Sequence, residues 1–152
     1  MGCMSDDKPP KETTRIEELL ERPCWVIDLL PQRVPADAGG QFFRIEPKLL
    51  EGKRLRRSFV DVLLKLNCYY DFLVFRGESD EGVANPKPEK LEKWVLRDKE
   101  GLSILIPEVE ALISVPTDST YIALHNPTRE LLELVRQIAT ASGLFVWEAS
   151  NR

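Results

Sequence analysis

Two carboxylates and one imidazole are the groups around which this sequence could build chemistry. Asp28 stands in an apolar run, flanked by Trp25, Val26, Ile27, Leu29 and Leu30, where an ionised carboxylate is costly to bury without a partner. It therefore reads either as a carboxyl of raised pKa in a cleft or as a strand-end aspartate bonded to water or to a backbone amide. The triplet Tyr69-Tyr70-Asp71 repeats the question at the head of another apolar run. Its tyrosine hydroxyls would line a polar pocket with Asp28 or cap a sheet edge. His125, the only histidine, falls at the end of an expected strand just before an expected helix, a position that presents a base well and also suits an ordinary surface histidine. If the strands carrying Asp28 and Asp71 were neighbours, Asp28, Tyr70, Asp71 and His125 would form one catalytic or small-molecule constellation.

A Cys–His nucleophilic pair is the sharpest enzymatic idea. It would use Cys24 or Cys68 as thiolate, His125 as base, and Asp28 or Asp71 to orient the ring. Against it, Cys24 falls inside an apolar strand and Cys68 at the end of an amphipathic helix, where cysteine behaves as a small buried hydrophobe. One histidine and no ligand-spaced cysteines give no reason to expect a metal. The acids Glu78, Asp80 and Glu81 beside Gly82 lack the ligand series of a calcium loop. No Gly-rich phosphate loop, GxSxG or HExxH occurs in the sequence, so no cofactor is expected.

The one dense basic run, Lys53, Arg54, Arg56 and Arg57, heads an expected helix, where the dipole favours a bound anion but not cations. Exposed aromatics do not interleave with it, because the nearby Phe59 belongs to the apolar stripe. A solvated face is therefore the expectation, and nucleic acid is disfavoured as a partner. The net charge of −4 points the same way, since the overall field repels polyanions.

These groups must be positioned by a chain of 152 residues, 43% hydrophobic and 30% charged, which is enough for one self-sufficient core. Residues 1–12 offer no large apolar side chain after Met4 and are expected to be a disordered tail, with residues 13–152 forming a single domain. Asp6 replaces the Ser or Thr of a myristoylation motif at the Met1-Gly2-Cys3 start. No apolar run approaches the ~20 residues of a membrane helix. The odd set of three cysteines fits reduced thiols in a cytoplasmic protein.

Apolar spacing places a short helix after Thr14, ended by Pro23, and a strand over residues 24–30. Residues 41–46 read as a more exposed strand. Leu55, Phe59, Val62, Leu63 and Leu66 share one face of a helix over residues 53–67. Residues 70–75 follow as a strand, 76–88 as a surface loop, and Leu91, Trp94 and Val95 as a short helix. Runs 102–106, 111–115 and 121–124, separated by turn chemistry, predict an antiparallel meander. Asn126 then caps a helix starting at Pro127, with Leu131, Leu134, Val135 and Ile138 as its core stripe and Gly143 as its left-handed C-cap. A strand over residues 144–147 closes the chain, parallel to the last meander strand if the helix makes a crossover.

The sum is an α+β domain: a mixed, mostly antiparallel sheet of five or six strands, with three or four helices mainly on one face in a two-layer sandwich. The function expected is a non-catalytic protein-interaction or regulatory module that binds another protein or itself through exposed aromatics. Trp94 and Trp147, with Tyr69 and Tyr70, are the candidate binding residues. The alternative is an enzyme or small-molecule binder using Asp28, Asp71 and His125.

Overall fold

The computed structural model describes residues 11–37, 40–97 and 99–149. Most of the expected tail therefore lies outside the described residues. Helix α1 (Lys11–Leu20) begins three residues ahead of Thr14. Strand β1 (Cys24–Asp28) follows the Pro23 break.

The meander forms as its turn residues dictate, with β4 (Leu102–Ile106), β5 (Ala111–Val115) and β6 (Tyr121–His125). Its first turn closes through a short 3-10 segment, Pro107–Val109, after which Glu110 takes the left-handed conformation at φ 53°. Strands β2 (Leu73–Arg76) and β3 (Val83–Ala84) extend it on one side, so part of the expected 76–88 surface loop is the return strand of a hairpin. On the other side β1 pairs with β6, and β7 (Phe145–Glu148) pairs with β1. Among the described residues the result is a seven-stranded sheet of order β3-β2-β4-β5-β6-β1-β7 in an α+β fold with five α-helices. Every neighbouring pair is antiparallel. Strands β6 and β7 run parallel to each other, but β1 is inserted between them, so the crossover through α5 (Arg129–Ala141) spans one intervening strand.

One face of the sheet is dry. Val74, Ile104, Ile113, Leu124 and Trp25 stand in register across five strands. Helices α3 (Arg54–Asn67), α4 (Pro88–Arg97) and α5 close over them with Leu55, Phe59, Leu63, Leu91, Val95, Leu131 and Val135. Phe59 and Leu63 are fully buried, each stabilising the fold by about 1.5–3 kcal/mol. The guanidinium of Arg136 on α5 stacks 5.3 Å above the Trp25 ring.

Two local expectations change. Residues 41–46 are not a strand but the start of helix α2 (Gln41–Leu49), entered through Gly40 at φ 77°. Phe42, Ile45 and Leu49 recur at i, i+3 and i+7, a spacing too short to outweigh alternation until the chain beyond residue 46 is included. Helix α5 starts at Arg129, capped by the Thr128 hydroxyl, which accepts from the Leu131 amide at 3.1 Å. Asn126 instead takes φ 60° and donates its side-chain amide to the Glu110 carbonyl. Two left-handed residues thereby hold each other beside the helix. The expected C-cap is present: with Gly143 at φ 78°, the Gly143 and Leu144 amides bond back to Thr140 and Ala139, closing a Schellman turn.

Candidate functional site

The opposite face of the sheet is lined by lighter side chains. Beneath α1 it is closed, because Leu19 and Ile16 pack on Leu105 and Leu112 with Leu73 at the margin. Continuing along the same row, the register runs from Leu112 to His125 and then Cys24. The next row is Ser103, Ser114, Ala123, Val26 and Trp147. Serine and alanine leave volume where the dry face carries isoleucine. A cavity of about 810 Å³ results, floored by Ser114, Ala123, Val26 and Cys24 and walled by Leu30, Val34, Pro35, Phe42 and Trp147. Helix α2 stands over it without burying a single residue of its own.

Asp28 and His125 both border this cavity. They project from the same side of paired strands, yet the register places Asp28 opposite Tyr121 and His125 opposite Cys24. Four residues separate the two levels, roughly 13 Å at strand rise, so they cannot act as one acid–base couple. Asp28 is largely committed to its own turn. Its carboxylate accepts from the Leu30 amide at 3.0 Å, and from the Leu29 amide and the Thr120 hydroxyl. Burial nevertheless outweighs these bonds and pushes the carboxyl above its ordinary value of 3.8.

His125 is 8% exposed, and its Nδ1 is buried with no hydrogen-bond partner among the described residues. A bond to the Arg22 backbone favours the charged ring, but burial dominates and lowers the pKa from its ordinary 6.5. The ring is therefore neutral near pH 7. The Asn126 amide bonds to the Pro23 carbonyl at 3.0 Å, which makes Cys24 and His125 a non-hydrogen-bonded pair, the closest cross-strand spacing in an antiparallel sheet.

The remaining candidates are dispersed. Strand β2 is separated from β1 by β4, β5 and β6, so Asp71, at the head of β2, stands roughly 19 Å away from Asp28 by strand spacing. The expected meeting of Asp28 with Asp71 does not occur, because neighbours in the sheet are chosen by long-range pairing. Asp71 instead accepts from the Asn85 side chain at 3.1 Å. Asn85 in turn accepts from the Phe72 amide and the Asn67 side chain, fastening the end of α3 to the β2–β3 hairpin. Tyr70 packs against the dry core; burial and the charges of Glu130 and Glu108 raise its phenol pKa. Tyr69 is exposed. Trp94 is half-buried beneath the Arg76 guanidinium, 4.7 Å from its ring centre. Trp147 alone of the four candidate binding residues reaches the cavity, and its indole N–H donates to the Leu30 carbonyl at 3.0 Å.

The basic run has a structural task that composition did not suggest. Lys53 donates to the Leu96 carbonyl at 2.6 Å, and buried Arg56 donates to Val95 and Pro116 carbonyls at 3.1 Å each. Arg57 pairs with Glu92 at 2.7 Å. Lys53 and Arg56 thereby satisfy carbonyls in the last turn of α4, where the helix dipole attracts positive charge. Cys68 is exposed, its Sγ 3.5 Å from the Leu64 carbonyl. Among the described residues no three His, Cys, Asp or Glu side chains gather as a metal ion would require, and no helix is long and apolar enough to cross a membrane.

The signal that sequence reading passed over is the run of small residues at alternate meander positions, Ser103, Ser114 and Ala123, which marks where the sheet surface is thin. Comparison of the chain with protein-family models, with curated proteins and with solved structures found no match to any of them.

Proposed function

We propose that this protein binds a small, mostly apolar molecule in the cavity between α2 and the β5-β6-β1-β7 surface. The observation that carries this reading is the cavity itself: about 810 Å³, with a lining surface that is mainly apolar and with Asp28, Arg33, Glu46, Asp118, Thr120 and His125 among the polar groups that border it. Ligand pockets typically occupy ~300–1,000 Å³ and have this composition. Asp28 and Thr120 mark one end and His125 the other, so an elongated ligand with a polar group at either end fits best.

The test is titration with N-phenyl-1-naphthylamine, a neutral apolar fluorophore. Saturable one-to-one enhancement is expected, and Ala123→Trp, which fills the floor, should weaken it by about tenfold or more, at least 1.4 kcal/mol. Absence of saturable binding, or equal binding by a folded Ala123→Trp variant, would refute the reading.

A second reading, a protein-interaction module, is favoured by α2 itself. Phe43 is 74% and Ile45 43% exposed on this helix, with Phe145 46% exposed on β7. Such apolar groups are the usual anchors of interfaces. Sedimentation of the protein alone tests self-association: a dimer that Phe43→Asp converts to monomer supports this reading, and a monomer at all concentrations removes self-association as its basis.

A further inference from the structure

At one end of the cavity a carboxylate stands between two aromatic rings. The register of β6, β1 and β7 aligns Tyr121, Asp28 and Phe145 in one row, and cross-strand partners share a face of the sheet. We propose that this row seats an organic ammonium group, so that the ligand is a hydrophobic amine or quaternary ammonium compound whose tail lies in the cavity; this deepens the small-molecule reading and rests on it.

Asp28 is 8% exposed and borders the cavity. Its hydrogen bonds come from neutral donors, the Leu29 and Leu30 amides and the Thr120 hydroxyl. Among the described residues it makes no ion pair, and burial holds its carboxyl above the ordinary value. A buried carboxylate is costly without a countercharge. An ammonium group entering through the cavity supplies that charge and a charge-assisted hydrogen bond.

The rings on either side are not used up in the core, since Tyr121 is 39% and Phe145 46% exposed. Tyr121 also borders the cavity. The Leu29 amide bonds to the Thr120 carbonyl at 3.2 Å, which makes Asp28 and Tyr121 a non-hydrogen-bonded pair with Cβ atoms about 4.5–5.5 Å apart. An aromatic face attracts an ammonium or quaternary nitrogen within ~6 Å of its centre, so ring and carboxylate can hold the same cation.

The other charges at the cavity select the same sign. Glu46 lines it from α2, half-buried and in no ion pair among the described residues. Asp118 borders it too, already partnered. Against these acids stands Arg33, which is exposed, where water and salt screen its field. His125 is neutral near pH 7, because burial lowers its pKa. An anion would therefore meet a buried carboxylate, and a neutral ligand would leave that carboxylate uncompensated. Val26, Leu30, Val34 and Phe42 remain to cover an apolar tail.

The experiment is displacement of N-phenyl-1-naphthylamine near pH 7 by three probes of one shape, 4-phenylbutylamine, 4-phenylbutan-1-ol and 4-phenylbutanoate, with direct calorimetry of each. The amine is expected to bind about tenfold or more tighter than the alcohol, and the carboxylate most weakly. Asp28→Asn should lower the amine-to-alcohol ratio by about tenfold, and Tyr121→Leu, at a more exposed position, by about threefold. An amine that binds no better than the alcohol, or a carboxylate that binds better than the amine, overturns the inference in the wild-type protein without any variant. An unchanged ratio in a folded Asp28→Asn protein overturns it as well. If the fluorophore binds saturably and the amine has no advantage, the cavity reading stands and the cation seat falls. If calorimetry shows amine binding that Asp28→Asn abolishes in a protein that ignores the fluorophore, the seat stands and the reading based on a mostly apolar ligand falls.

Discussion

The two faces of the sheet come from the same strands, and they differ in the size of alternate residues. On one face Ile104, Ile113, Ile122 and Leu124 meet three helices and exclude space. On the other, Ser114, Ala123 and Cys24 meet a helix that buries nothing, and a cavity remains. Side chains at i and i+1 in a strand point to opposite sides, so one stretch such as Ile113-Ser114 can close a core and open a pocket together. The dry face accounts for stability, and the thin face leaves room for a ligand.

That division can be broken most severely at the dry face. Phe59→Ala is expected to cost about 3–5 kcal/mol, read as a lower denaturation midpoint, whereas the cavity roof variant Phe42→Ala should cost less than about 1 kcal/mol and weaken probe binding instead. Equal losses would mean that α2 is as integral to the core as α3. Next in size is Arg56→Ala, which leaves the Val95 and Pro116 carbonyls without their donor; the expected loss is about 1.5–3 kcal/mol.

Protonation should distinguish the faces more finely, because the buried Asp28 and His125, which titrate on the acid side of neutrality, both border the cavity. Asp28 is raised from 3.8 by burial, so the folded state holds its proton more tightly than the unfolded chain. Its contribution is greatest below pH 3.8 and is lost as pH rises through the folded value. Asp28→Asn keeps the acceptor for Leu30 and removes that dependence, so its stability relative to wild type should grow as pH rises through that window. His125 behaves oppositely. Its pKa is lowered from 6.5, and its contribution is present above 6.5 and lost as pH falls toward the folded value. His125→Gln should flatten urea midpoints over that interval. The smallest effect is expected at Phe43, 74% exposed, where Phe43→Ser should shift stability by no more than about 0.5 kcal/mol.

Much of the architecture was legible from residues alone. The meander strands, the α3 stripe of Leu55, Phe59, Val62, Leu63 and Leu66, and the Gly143 turn all rest on interactions within a few positions of one another. Residues 41–46 misled because six residues carry too little period to separate helix from strand. Asn126 looked like the cap because its type suits one, yet its backbone turned left-handed and Thr128 took the role. The site was half legible. Asp28 and His125 were singled out as unusual, and both border the cavity; Asp71 and Tyr70 were grouped with them only on an assumed strand pairing.

Sequence by itself determined most of the helices and strands, with residues 41–49 and 83–84 as the exceptions, and which of their sides are apolar, because hydrogen-bond period and side-chain alternation are local properties of a chain. Tertiary structure alone decided that β1 would lie between β6 and β7, which put Cys24 against His125 and sent Asp71 across the sheet. Strand order is settled by contacts between residues about a hundred positions apart, such as Cys24 with His125. Such pairings depend on how the whole set of apolar faces can be covered at once.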